Sequence, residues 1–193
     1  MRRSFFPRLR SFTLIELLVV MGVIAILSAI TLGAAGYVNR KAASSRAQAE
    51  IAAMEAGLER YKVDNGIYPT TTNVISSTGS GTGKIYVGTP GSYSNNATVL
   101  YAALAGKTTY TSIATNPIYM EFKASQINST NGTANVQDPF GYPYGYVCDT
   151  PGGTTNVIFN VGFFDLWSTG GLTGTGTGNA TNTGQWLTNW KGS

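Results

Sequence analysis

Few side chains in this sequence are suited to chemistry. It has no histidine and a single cysteine, Cys148. Serine–histidine–aspartate and cysteine–histidine nucleophiles are therefore ruled out, as are zinc sites built on imidazole. One cysteine makes no intramolecular disulfide, and a lone thiol of this kind reads as a buried small hydrophobe. Asp138, Asp149 and Asp165 are the candidates for an acid–base pair. Each sits in turn-like sequence, which reads instead as a solvated turn carboxylate. The Gly-Thr repeats of Thr169 to Gly184 are not followed by G-K-[ST], so they are no phosphate loop. One carboxylate remains in an unusual place, and it is Glu16.

Glu16 is the only charge in FTLIELLVVMGVIAILSAITLGAAGY, Phe12 to Tyr37. At ~1.5 Å per residue, this run as a helix is ~39 Å long, enough to cross a ~30 Å hydrocarbon core with some tilt. An ionised carboxylate deep in such a segment costs ~2.5–3.5 kcal/mol, so its presence calls for a partner or for snorkelling to the headgroups. The preceding residues 1–11, MRRSFFPRLRS, carry Arg2, Arg3, Arg8 and Arg10 and no acid, as on the cytoplasmic side of a membrane. Two readings of this leader compete. One is a secretory signal peptide cut near Ala34 or Ala35; the apolar run is long for that. The other places a cut before Phe12 and keeps the apolar helix on the mature protein.

Four of the 13 basic residues lie in the leader, and the rest balance the 9 acidic ones. The basic pI therefore gives no case for nucleic-acid binding. Charged residues make up 11% of the chain against ~25% in average soluble domains; Gly, Thr, Asn and Ser take their place, which suits a loop-rich extracytoplasmic domain.

These residues must be positioned by a few elements. Ala43, Ala47, Ile51, Met54, Leu58 and Tyr61 form one apolar stripe at helical spacing. The periodicity extends the helix from Phe12 to Asp64, with Asn65-Gly66 as its stop; two helices broken near Gly33 and Gly36 are the alternative. Thr71 to Ser94 reads as a loop with a short strand at Lys84 to Val87, Ala97 to Ala105 as a short helix, and Asn116 to Phe122 as a loop and edge segment. Thr130 to Val136 reads as a polar loop. Strands are expected at Tyr142 to Cys148, at Asn156 to Gly162 as the best candidate, at Phe164 to Ser168 and at Trp186 to Trp190. The expected fold is α+β: a long N-terminal helix, its first half transmembrane, packed on a small antiparallel sheet of about three strands. The expected organisation is a leader at 1–11, a membrane or filament-core helix at 12–37, the extracytoplasmic half of the helix at 38–66 and a globular domain at 67–193.

Ser11-Phe12-Thr13-Leu14-Ile15-Glu16-Leu17-Leu18 resembles the processing signal of type IV pilins and of the pseudopilins of type II secretion systems. Asp138-Pro139-Phe140-Gly141-Tyr142-Pro143-Tyr144-Gly145-Tyr146 is similar to the D-P-W-G-x-P-Y-x-Y segment of the major pseudopilins, and Phe164-Asp165-Leu166-Trp167-Ser168 to their D-L-Y-S segment. Tyr61 to Pro69, YKVDNGIYP, resembles their helix-to-loop junction. Thr71 to Asn135 is not covered. The resemblance implies a type IV pilin-like fold, cleavage between Ser11 and Phe12 by a prepilin peptidase, and N-methylation of the new Phe12 amine. The family usually has Gly before the cut, where this chain has Ser11. It also implies that Glu16 sets the register of a helical homo-oligomeric filament by meeting a neighbour's Phe12 ammonium. The motif residues Asp138, Pro139, Gly141, Pro143, Asp165 and Trp167 would shape the fold without catalysis.

The function implied is a structural, non-enzymatic subunit of a type II secretion pseudopilus. It would be anchored in the inner membrane with its C-terminal domain in the periplasm. Minor pseudopilins, an inner-membrane assembly platform and, before assembly, membrane lipid would be its partners. A type IV pilin of a surface fibre and a membrane-anchored binding protein or enzyme are the alternatives. The family's loop after D-L-Y-S typically binds calcium through aspartates. Here that loop has no carboxylate, with only Asn179, Asn182, hydroxyls, carbonyls and nearby Asp165 to offer, so no cofactor is expected, a weakly held calcium being the alternative. Trp167, Trp186 and Trp190 are expected to hold this region by packing.

Overall fold

The computed structural model describes residues 12–71, 77–78, 85–86, 94–130, 132–148, 159–172 and 186–190. Its residues fall into two compact units, Met1–Ala42 and Ala43–Ser193. One helix, α1 (Leu14–Asn65), contributes to both. It begins two residues later than the periodicity predicts, because Thr13 is its cap, and it includes both Gly33 and Gly36.

In the first unit, every described side chain from Phe12 to Ala42 is exposed. Leu14, Val20, Ile24, Leu27 and Ile30 are among them, at 52–81% exposure. A helix apolar on all sides has no single face to bury, so it belongs in lipid or among other helices. The segment is long and apolar enough to cross a membrane by length and composition.

In the second unit, α1 has one buried face. Ala47, Met54 and Leu58 are fully buried and Ile51 is 3% exposed, which is the stripe read from the sequence. Ile51, Met54 and Leu58 share a core with Leu100 and Leu104 of α2 (Ser94–Ala105) and with Val136, Tyr146 and Leu166. Gly57 lets the two helices approach: a Cβ there would lie 3.0 Å from Leu104 Cδ2. At the end of α1, Gly66 takes φ +77° and its N–H donates to Lys62 O at 2.7 Å, a left-handed C-terminal stop.

Among the described residues, seven short strands follow in three antiparallel groups. β1 (Ser77–Thr78) pairs with β2 (Ile85–Tyr86). β3 (Ile127–Thr130) pairs with β4 (Thr133–Val136), Ile127 opposite Val136. The third group is the sheet β5 (Gly145–Cys148), β6 (Phe164–Ser168), β7 (Leu187–Thr188), in that order. The chain is thus α+β, with the small antiparallel sheet the sequence predicts.

Two expectations are corrected. Thr130 to Val136 is not a loop but most of a hairpin, with Ala134 and Val136 buried on one side. The best strand candidate, Asn156 to Gly162, fails where it is described: Phe159 to Gly162 form a turn, and the strand starts at Phe164. The reason is Asp165, whose carboxylate accepts the Phe159 and Asn160 N–H groups at 2.9 Å each and so removes them from any ladder. Residues 156–158 lie outside the described residues.

Candidate functional site

Phe12, Thr13 and Glu16 stand at the start of α1. Thr13 Oγ1 accepts the Glu16 N–H at 3.3 Å, while Glu16 Oε2 accepts the Thr13 N–H at 2.9 Å and the Thr13 hydroxyl at 2.8 Å. This is a reciprocal capping box, which satisfies two N–H groups that a helix start leaves open. Within one chain Glu16 is therefore held by Thr13 and remains exposed. Phe12, itself one of the residues that bear the resemblance, is 84% exposed. Ser11, the other half of the expected cut, lies outside the described residues, as does the arginine leader.

The second constellation lies wholly in the Ala43–Ser193 unit. Asp138 opens a turn in which Oδ1 accepts the Phe140 N–H at 3.0 Å and the Tyr142 N–H at 2.9 Å. The Gly141 N–H donates to Asp138 O at 2.9 Å, and Gly141 takes φ +86°, a conformation that favours glycine. Asp138 Oδ2 accepts the Ser168 hydroxyl at 2.5 Å, and Ser168 Oγ accepts the Gly170 N–H at 3.0 Å. The D-P-F-G turn is thereby joined to the end of β6. Pro143 bridges to Gln137 across the same turn. Burial, opposed by these hydrogen bonds and reinforced by the charge of Glu50, raises the Asp138 pKa above the usual carboxylate range.

Asp138 and Asp165 are not the solvated turn carboxylates expected from sequence. They are 2% and 0% exposed. Each sits where backbone N–H groups converge, which replaces the water a buried carboxylate would otherwise need. Their oxygens are engaged as structural acceptors. Asp149 lies outside the described residues.

Trp167 explains the glycine opposite it. Gly145 pairs with Trp167 across β5 and β6, and a Cβ on Gly145 would fall 2.0 Å from the indole. Trp167 stacks on Trp186 at 6.0 Å between ring centroids and meets Trp190 edge-on at 5.9 Å. The three tryptophans pack together as the sequence suggests. Cys148 is 3% exposed in β5, the small buried hydrophobe expected.

A buried carboxylate paired with a half-exposed arginine was missed by sequence reading. Glu50, on α1, is 8% exposed and accepts from Arg46 Nε at 2.9 Å and from the Tyr144 hydroxyl at 2.8 Å. Arg46 also donates to Ser125 Oγ at 3.1 Å. Tyr144 is fully buried, and desolvation together with the Glu50 carboxylate raises its pKa. The available signal was the position of Glu50 next to the Ala47–Ile51 stripe, with Arg46 four residues earlier.

These features define a class. Residues 8–32 match the prokaryotic N-terminal methylation motif, and they include Phe12, Glu16 and much of the exposed apolar helix. The chain thus combines a prepilin-type methylation motif with a transmembrane-capable N-terminal helix and an α+β fold consistent with the pilin-like one.

Its N-terminal region is similar in particular to type II secretion system core protein G. The identity is 37% over 68 residues with that of Escherichia coli (strain K12), covering 35% of this chain and 47% of the relative. It is 38% over 64 residues with that of Dickeya chrysanthemi, covering 33% and 42%. It is 38% over 60 residues with that of Vibrio cholerae serotype O1, covering 31% and 41%. The chain thus spans less than half the length of the curated relatives it matches.

Proposed function

We propose that this chain is a pseudopilin, a structural subunit that polymerises into a type II secretion pseudopilus and has no enzymatic role. The observation that carries this reading is the apolar helix of the first unit, exposed at every described side chain, with its carboxylate Glu16 inside a matched N-terminal methylation motif. The precursor inserts in the inner membrane with its arginine leader in the cytoplasm and its Ala43–Ser193 unit in the periplasm. A prepilin peptidase cuts between Ser11 and Phe12 and the Phe12 amine is methylated. Lipid covers the apolar helix until an assembly platform and minor pseudopilins draw subunits into the filament, where the helices cover one another.

Within the filament the Phe12 ammonium of one subunit meets Glu16 of its neighbour. In a low-dielectric bundle a broken pair leaves a buried charge and costs about 3–5 kcal/mol, so the contact fixes register. Growth of such a filament would push folded proteins toward an outer-membrane channel. The similarity to core protein G, named for a type II secretion system, supports this assignment over a surface fibre.

The test is Glu16→Ala in cells carrying the cognate secretion apparatus. The variant is expected to insert and be processed, while crosslinked multimers and sheared filaments fall more than about tenfold. Normal assembly of Glu16→Ala would contradict the register role.

A further inference from the structure

We propose that the chain segment leaving β6 is fixed by a hydrogen-bonded clasp, Asp138–Ser168–Gly170, in place of a calcium ion, so that this protein folds and keeps its stability without a divalent cation. The resemblance to the major pseudopilins implies calcium in this loop, and the residues present do not fit it. Calcium takes ~6–8 oxygen ligands, usually with several carboxylates among them. Thr169 to Gly184 contains neither Asp nor Glu. The two carboxylates beside β6 are already committed. Asp165 accepts the Phe159 N–H on Oδ2 and the Asn160 N–H on Oδ1, both at 2.9 Å. Asp138 accepts two N–H groups on Oδ1 and the Ser168 hydroxyl on Oδ2. Each of these oxygens already accepts a hydrogen bond, so a cation could reach only their remaining lone pairs, and the loop offers no further carboxylate to complete its shell. Among the described residues, no three His, Cys, Asp or Glu side chains gather as a metal site.

The clasp ties the exit from β6 to the D-P-F-G turn. Ser168 is its node, donating to Asp138 and accepting from Gly170, and Ser168, Thr169 and Asp138 are all at most 2% exposed. The Leu172 N–H donates to Thr169 O at 3.2 Å and closes the next turn. Gly171, at φ +83°, lies against Phe140: a Cβ there would be 2.9 Å from Phe140 Cδ1. The exit from β6 is thus seated on the D-P-F-G turn by donors and contacts within the chain.

The test is thermal unfolding of the full-length chain in detergent micelles, followed by tryptophan fluorescence in calcium chloride and in EGTA, with calorimetric titration of calcium alongside. The clasp predicts equal midpoints within about 1 °C and no saturable heat. It also predicts that Ser168→Ala lowers the midpoint by roughly 3–8 °C, equally in both buffers. A bound calcium at 100 times its Kd would raise the midpoint by several degrees. Such a rise in the unmodified protein, or a Ser168→Ala midpoint that does not move, would overturn the proposal. The comparison of calcium with EGTA needs no variant and does not depend on filament assembly.

Discussion

Leu18, Ile24 and Leu27 share α1 and similar chemistry with Ile51, Met54 and Leu58, yet the first three are 53–65% exposed and the last three at most 3%. The difference lies in what surrounds each trio in sequence. Near Leu18 to Leu27 the apolar residues occupy every side of the helix, so none can be buried by one neighbouring face. Near Ile51 to Leu58 they form a stripe between Glu55, Glu59 and Arg60, and α2 with the sheet covers that stripe. The second unit is completed by its own chain, whereas the apolar helix of the first finds no cover within it. Burial of a large aliphatic side chain is worth about 1.5–3 kcal/mol, so an uncovered helix of this kind has a strong drive to find such an environment.

Perturbing the self-sufficient unit should leave the other untouched, and the largest such effect is expected at Gly145. Gly145→Ala places a methyl group inside the Trp167 ring position, and sheet β5–β6–β7 must shift to accommodate it. A loss of about 3 kcal/mol, the upper part of the overpacking range, is expected in denaturant unfolding. Membrane insertion of the precursor, read by carbonate extraction, should not change. Loss of insertion as well would show that the two regions are not independent in the way their burial implies.

A smaller effect is expected at Asp138. Its folded pKa is raised, so its favourable contribution is full below the unfolded value of ~3.9 and is lost as pH rises through the folded value. Asp138→Asn keeps an acceptor for the Phe140 and Tyr142 N–H groups but does not titrate. The stability of the unmodified protein relative to Asp138→Asn should therefore increase on acidification through the carboxylate range. A difference independent of pH would show that the burial of Asp138 is fully offset by its donors.

The same contrast explains what could be read from the sequence. The apolar run, Glu16, the stripe from Ala47 to Leu58 and the Asn65-Gly66 stop are local signals, and all were legible. β3 and β4 were not, because INST and TANV carry little alternating apolarity; their pairing depends on burial of Ala134 and Val136 against distant parts of the core. The apolar run at Phe159 to Val161 pointed to a strand, but Asp165 captures two of its N–H groups. Buried Glu50, Asp138 and Asp165 were hidden for the same reason. A carboxylate looks solvated in sequence, and only the fold reveals that Arg46, Tyr144, Ser168 or backbone donors take the place of water. The capping role of Thr13 has a sequence signature, T-x-x-E before an apolar run, and it is local to Glu16.

The most direct test of the account is the intact mass and N-terminal peptide of the protein expressed with a cognate prepilin peptidase. The account predicts a mature chain that begins at N-methylated Phe12 and retains the whole apolar helix. A chain that begins near Gly36, or one that stays uncut, would contradict it.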